Sequence, residues 1–231
     1  PVSEDYLDDN TIYAITKKVL AKLADARRES SSRAALGASK CTFLSVGVSA
    51  RHVHLGEGDL DTLFGPSHRL RSKAMLKQPG QFAAEETVAV VGSKRALYGV
   101  RVLGPVRGST QVELSMSDCF HLGLKPMIRN SGDLAGTPGA IILGPAGSLE
   151  LREGVIVAAR HLHIEPSRAK SLGLENGQLV NVRVNPASKR SLLFEKVLVR
   201  SGDAHAGEFH VDTDEANAAA IKNGDQVEVV T

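Results

Sequence analysis

Two short runs of this chain carry side chains that could hold a metal ion. Arg51-His52-Val53-His54 recurs as Arg160-His161-Leu162-His163. The likeness runs further on both sides, Val48-Ser49-Ala50 matching Val157-Ala158-Ala159 and Leu55 matching Ile164. In an extended strand successive side chains alternate between faces, so His52 and His54 point one way and Val53 the other. His161 and His163 do the same around Leu162. A pair of neutral imidazoles so placed can grip a transition metal through ring nitrogens. One HxH strand is a weak sign of this; a second copy in matching context is a much stronger one.

A second repeat supplies further ligands. Val112-Glu113-Leu114-Ser115, with Ser117 after it, reads against Phe209-His210-Val211-Asp212, with Asp214 after it. Each is an alternating strand running into a capped helix. The register sets Glu113 against His210, so each half of the chain offers one HxH strand and one later strand with a third metal-competent side chain. The candidate ligands are His52, His54 and Glu113 in one half, and His161, His163 and His210 in the other. Five imidazoles and a carboxylate are too many for one four-coordinate zinc. They suit two zinc ions, with Glu113 able to bridge and water filling open positions. Imidazole-rich ligation favours zinc over magnesium or calcium and leaves other first-row metals open. His68, His121 and His205 have no partner at ligand spacing and read as surface or structural imidazoles. Cys41 and Cys119 are the only cysteines. They read as plain thiols, and without a disulfide framework they point to a reducing, cytosolic setting.

These side chains must be carried by a mostly β scaffold. A strand pattern over 43–55 ends in the first HxH, a short helix follows over 59–64, and strands are predicted over 86–91, 96–103 and 109–114. Residues 103–107 read as a bend, and Ser117 and Asp118 as the cap of a short helix ending near Leu122. Residues 66–81 are polar and basic, with Arg69, Arg71, Lys73 and Lys77. They read as a lid near an anionic ligand or as a solvated excursion. Residues 129–148 are rich in Gly and Pro and read as a loop connection at a domain boundary. Beyond it, Pro166 opens a helix to Leu172. A unit of helix, Asn-Gly turn and alternating strand then occurs twice, with turns at Asn176-Gly177 and Asn223-Gly224. The pattern predicts a mainly β, α+β fold with short capping helices: two pseudo-equivalent β-barrels with the metal site between them.

The bulk numbers agree. The 231 residues suffice for one large or two small domains. With 42% hydrophobic and 4% aromatic residues and no Trp, the core must be aliphatic. A net charge of +2, with acids and bases interleaved, argues against a nucleic-acid partner. No apolar run approaches the ~20 residues that span a bilayer, and no secretory segment opens the chain, so no membrane partner is expected. Residues 1–29 stand apart. Acidic capping residues precede Ile12, Ile15, Val19 and Leu23 at helical spacing, and Lys17, Lys18, Lys22, Arg27 and Arg28 lie toward the far end. A small, polar linker over 30–42 follows. The helix over residues 3–29 either docks on another molecule or packs as an ordinary first helix. The remaining domains are 43–149, with the first HxH strand and a central barrel, and 150–231, the C-terminal barrel.

In these motifs the chain resembles the PduL-type phosphotransacylase family (phosphate propanoyltransferase) of bacterial microcompartments. The likeness rests on the two HxH runs with their flanks, on Gly104-Pro105-Val106-Arg107, Gln111-Val112-Glu113 and Arg129-Asn130-Ser131-Gly132-Asp133-Leu134, and on the run His210-Val211-Asp212-Thr213-Asp214-Glu215-Ala216-Asn217-Ala218-Ala219. The motifs fall in the family's order over about 44–231. The resemblance implies two barrels, the C-terminal one completed by the first strand, and a dinuclear zinc site between them. It implies reversible transfer of a short acyl group, propanoyl or similar, between coenzyme A and inorganic phosphate. The family's zinc ligands fall on His52, His54, Glu113, His161, His163 and His210, and its phosphate-binding arginine on Arg107. Ser131 is a further candidate at the reacting centre and Arg129 a candidate substrate contact. Arg51 and Arg160 read as braces for the ligand strands. Residues 3–29 resemble an encapsulation helix that binds a microcompartment shell or cargo protein, implying a place inside a microcompartment in the bacterial cytoplasm. A homo-oligomer is compatible with the sequence. Neither cysteine sits beside an expected base, which favours direct attack by phosphate without a covalent acyl-enzyme. A zinc hydrolase and a non-catalytic cargo or scaffold protein are the competing classes.

Overall fold

The computed structural model describes residues 42–184, 188–203, 205 and 207–230. The helix expected over residues 3–29, nearly all of the linker and Cys41 lie outside them. Among the described residues are fifteen strands and four short helices. Six strands close a barrel in the order β1 (Thr42–Ser49), β14 (Glu208–Asp212), β11 (His161–Ile164), β13 (Leu192–Ser201), β12 (Leu179–Val184) and β15 (Gln226–Val230). The strand earliest in sequence, β1, lies parallel to β14 and antiparallel to β15, completing a barrel otherwise built from the end of the chain.

The second barrel-like unit is an open sheet of nine strands. Its order is β7 (Ile128–Arg129), β10 (Val155–Ala158), β6 (Gln111–Glu113), β2 (His52–Gly56), β5 (Ala96–Arg107), β4 (Phe82–Val91), β8 (Ala140–Leu143) and β9 (Ser148–Leu151), with β3 (Ser72–Met75) paired to β4. The mainly β architecture with two barrel-like units is thus as expected, one closed and one open.

The cores are aliphatic and separate. Leu44, Val46, Leu162, Ile164 and Phe209 pack inside the barrel. Val53, Leu55, Val88, Val102 and Val112 pack on one face of the sheet. Fully burying each such side chain stabilises the fold by about 1.5–3 kcal/mol.

Local readings needed correction in several places, among them the loop expected over 129–148, which carries β8 paired to β4. The single strand expected over 43–55 is two strands, broken at Ala50 and Arg51, that enter different sheets. Alternation continues smoothly through both, so periodicity does not reveal the crossing between cores. No bend ends β5 at 103, because Gly104 pairs with Phe82 and Arg107 with Gly56, which carries the strand to Arg107. Helix α1 (Glu57–Phe64) starts two residues early. Helix α2 (Met116–Leu122) is capped by Ser115, whose Oγ accepts from the Asp118 N–H at 3.2 Å, rather than by Ser117 and Asp118. Helix α3 (Pro166–Leu172) runs as expected. Helix α4 (Thr213–Ala219) repeats the α2 arrangement, with Asp212 accepting from the Glu215 N–H at 2.8 Å.

Candidate metal centre and anion pocket

The period-two pattern that buries Val53 and Val112 in the sheet turns their neighbours to the opposite face. Strand β2 pairs antiparallel with β6, setting His52 opposite Glu113 and His54 opposite Gln111. In the barrel β11 pairs antiparallel with β14, setting His161 opposite His210 and His163 opposite Glu208. The two strand pairs are the same construction made twice. Each gathers three potential ligand atoms within 4.8 Å of one another, from His52, His54 and Glu113 and from His161, His163 and His210. Both groups open onto one cavity of about 960 Å³.

Hydrogen bonding decides which ring nitrogens are free. A carbonyl oxygen only accepts, so the 2.8 Å contact of His52 Nδ1 with the Ala50 carbonyl puts the proton on Nδ1. His161 Nδ1 donates to the Ala159 carbonyl at the same distance. In its neutral form each ring therefore keeps its Nε2 lone pair. Such a bond to the far nitrogen is what orients a metal-ligating histidine. Nε2 of His52 lies 3.4 Å from Glu113 Oε2, a contact that needs a proton or a metal ion between the two atoms. Among the described residues the buried Nδ1 atoms of His54 and His163 find no hydrogen-bond partner.

The electrostatics favour neutral rings. Burial, with His52 and Arg107 nearby, pushes His54 down to about 3. Burial and His210 take His161 to about 4. Burial and His161 take His163 to about 2. Burial alone would raise Glu113, but His52, His54, His161 and Arg107 together hold its carboxyl below the usual range. At neutral pH His54, His161 and His163 are therefore neutral imidazoles and Glu113 a carboxylate, the states in which these groups bind metal.

Arg107, at the end of β5, lines the same cavity as the two groups. Burial lowers its pKa, Glu113 opposes this, and the charge of Arg200 adds to it. Two guanidinium groups of like charge in one pocket suit an anion. Arg107 Nη1 donates to Ser131 Oγ at 3.4 Å. Gln111 Nε2 reaches Ser131 Oγ at 2.9 Å and Glu113 Oε1 at 2.5 Å, and Gln111 Oε1 accepts from the Gly132 N–H at 2.8 Å. Gln111 thus ties the loop after Arg129 to a candidate ligand. Arg129 turns instead to Asp133, 3.6 Å away, and to the Ile128 carbonyl.

Comparison with known proteins decides the family. The family model for phosphate propanoyltransferase matches residues 45–222. The chain belongs to that family. A phosphate propanoyltransferase of Thermotoga maritima is 53% identical over 80% of this chain and 88% of its own. One from Rhodopseudomonas palustris strain BisB18 is 46% identical over 96% of this chain and 98% of its own. One from Lachnoclostridium phytofermentans is 41% identical over 97% of this chain and the whole of its own. The chain is accordingly an acyltransferase of the phosphotransacylase class. Among the described residues no helix is long and apolar enough to cross a membrane.

Several side chains at this phosphate propanoyltransferase site were not singled out from the sequence. Glu208 and Gln111 sit two residues before His210 and Glu113, so the repeat itself could have found them. Gln78 Nε2 approaches His210 Nε2 at 3.4 Å, and Lys77 Nζ pairs with Glu208 at 2.7 Å, so part of the basic 66–81 segment borders the cavity. By its spacing His205 reads as a surface or structural imidazole, yet its ring stacks on His163 with centroids 4.1 Å apart. No spacing signal could have found that contact. His68, by contrast, is structural: it stacks on Phe64 and meets the buried Glu86 at 3.0 Å. Exposed His121 lies in α2, away from the cavity lining. The flanking arginines do pair with the helices. Arg51 meets Asp118 at 2.9 Å and Arg160 meets Glu215 at 2.9 Å, each partner five residues beyond the third candidate ligand of its half.

Proposed function

We propose that the chain moves a short acyl group, propanoyl or similar, reversibly between coenzyme A and inorganic phosphate at a dinuclear zinc centre, with no covalent acyl-enzyme. One observation carries the metal reading. His52 Nε2 and Glu113 Oε2 lie 3.4 Å apart and buried, with Nδ1 of the same ring already bound to the Ala50 carbonyl, so the pair is repulsive unless a proton or a metal ion lies between them. The orphaned Nδ1 atoms of His54 and His163 make the same demand in both halves. A donor set of imidazoles with one carboxylate fits zinc. His52, His54 and Glu113 would hold one ion, and His161, His163 and His210 the other. When bound, zinc supplies positive charge for the phosphate and for the oxyanion that develops on the thioester carbonyl.

The chain's own groups do the rest. Arg107 offers a bidentate fork to phosphate, with Arg200 adding charge and Ser131 Oγ orienting the guanidinium. A phosphate oxygen attacks the thioester carbon, the C–S bond breaks, and coenzyme A leaves as a thiolate that then takes a proton. Binding phosphate beside the thioester converts a bimolecular encounter into a positioned one. A cavity of about 960 Å³ has room for phosphate and the acyl end of the thioester. Arg129, held by Asp133, serves the loop that carries Ser131 rather than the reacting atoms. Cys119 is a poor nucleophile, because burial and neighbouring carboxylates push its thiol up to about 11.

Residues 3–29 are assigned to docking on a microcompartment shell or cargo protein, which would place the enzyme inside a microcompartment of the bacterial cytoplasm. In support, the alignments with the Rhodopseudomonas and Lachnoclostridium proteins span 96% and 97% of this chain, and so take in most of residues 1–41. The test of the chemistry is direct. The purified chain should form acyl phosphate from acyl-CoA only when phosphate is supplied, lose that activity to a chelator and regain it with zinc. Labelled CoA should not exchange into acyl-CoA without phosphate. Exchange would establish an acyl-enzyme, and phosphate-independent loss of the thioester would make the chain a hydrolase.

A further inference from the structure

The strand pair in each half turns four side chains to one face, not three. In the sheet they are His52, His54, Glu113 and Gln111; in the barrel, His161, His163, His210 and Glu208. Gln111 and Glu208 occupy the same place, opposite the second histidine of each HxH. Each also bonds the third ligand two residues on. Gln111 donates to Glu113, and Glu208 Oε2 lies 2.9 Å from His210 Nε2. The polar types are exchanged: an amide supports a carboxylate in one half, and a carboxylate supports an imidazole in the other.

We infer that Glu208 is the positioning carboxylate of the barrel-side metal centre, resting here on the metal reading above. A carboxylate can only accept, so its 2.9 Å bond with His210, shorter than the 3.4 Å approach of the Gln78 amide to the same nitrogen, puts the proton on Nε2 and leaves Nδ1 as the lone pair that ring offers to a metal. Glu208 also gives this otherwise all-imidazole half a negative charge, as Glu113 does for the other. The site is built to keep that carboxylate in place. Glu208 is only 6% exposed. Its Oε1 is held by Lys77 Nζ at 2.7 Å, and Lys77 in turn reaches Ser45 Oγ at 3.0 Å. Gly47 on β1 leaves it room, since a Cβ at that position would come within 2.7 Å of Glu208 Cδ. Lys77 belongs to the turn between β3 and β4, so Glu208 joins that turn to the centre.

The test is a metal titration of the full chain with zinc and a competing chelator, following stoichiometry and affinity rather than turnover. Wild type should take up two equivalents. Glu208→Ala should bind one of them about 10–100-fold more weakly and leave the other unchanged, the loss usual when an outer partner of a ligand histidine is removed. Glu208→Gln keeps an oxygen that accepts from His210 Nε2, so it should recover part of the affinity. Two equivalents bound at wild-type affinity by both variants would overturn the role of Glu208 and leave the metal reading intact. A wild-type chain that binds no zinc would overturn both.

Discussion

Arg107→Ala tests the anion pocket most sharply. The guanidinium lines the cavity and has Ser131 Oγ at 3.4 Å as its hydrogen-bond partner within the chain. Among the described residues nothing else engages its donors, which leaves most of them for a ligand. A bidentate fork to phosphate makes two charge-assisted hydrogen bonds, each worth about 1.5–3 kcal/mol. Arg200 remains in the variant and water refills the space, so the net loss should sit near the low end of that sum, about 3 kcal/mol. At about 1.4 kcal/mol per decade this is roughly a 100-fold fall in kcat/KM for phosphate. The assay is release of free CoA thiol from acyl-CoA at varied phosphate, with KM for acyl-CoA measured alongside. The latter should move less than about threefold, because the lost contact is to the other substrate. Arg107→Lys keeps a charge without the fork and should fall between. Metal content equal to wild type shows that the centre is intact. A phosphate kcat/KM within about threefold of wild type would remove Arg107 from the reaction and with it the anion reading of the pocket.

Two further outcomes follow from the structure. Cys119 should resist alkylation at pH 8 in a Cys41→Ser background, because its thiol is raised from 9.0 to about 11 by burial, and should react at the free-thiol rate once the chain is denatured. The fold favours the neutral thiol, so this contribution to stability is present below pH 9 and is lost between pH 9 and about 11; destabilisation on acidification traced to Cys119 would contradict it. Leu162→Ala empties a site that is fully buried between the two ligand histidines of β11. It should cost about 2–5 kcal/mol. That corresponds to a fall in Tm of roughly 5–15 °C in chelated protein, and an unchanged Tm would show that Leu162 does not anchor the strand.

Much of the site was legible from residue order because its chemistry rides on period-two strands. His52 and His54 had to share a face whatever sheet received them, and so did His161 and His163. The shared motif of an alternating strand running into a capped helix paired Glu113 with His210, and the β2–β6 and β11–β14 registers are equivalent, as a duplication implies. Alternation says which residues share a face, and duplication says which strands are equivalent. Neither says which strand lies beside which. That choice rests on burial of Leu44 and Val46 in one core and Val53 and Leu55 in another, which sends the halves of one apparent strand into different sheets. It also rests on long-range closure that seats β1 against β14 and β15. Lys77 comes to Glu208 across 131 positions of chain, and His205 stacks on His163 from a loop. Those contacts have no periodicity to announce them, because they form between elements whose backbones meet only when both hydrophobic faces are covered.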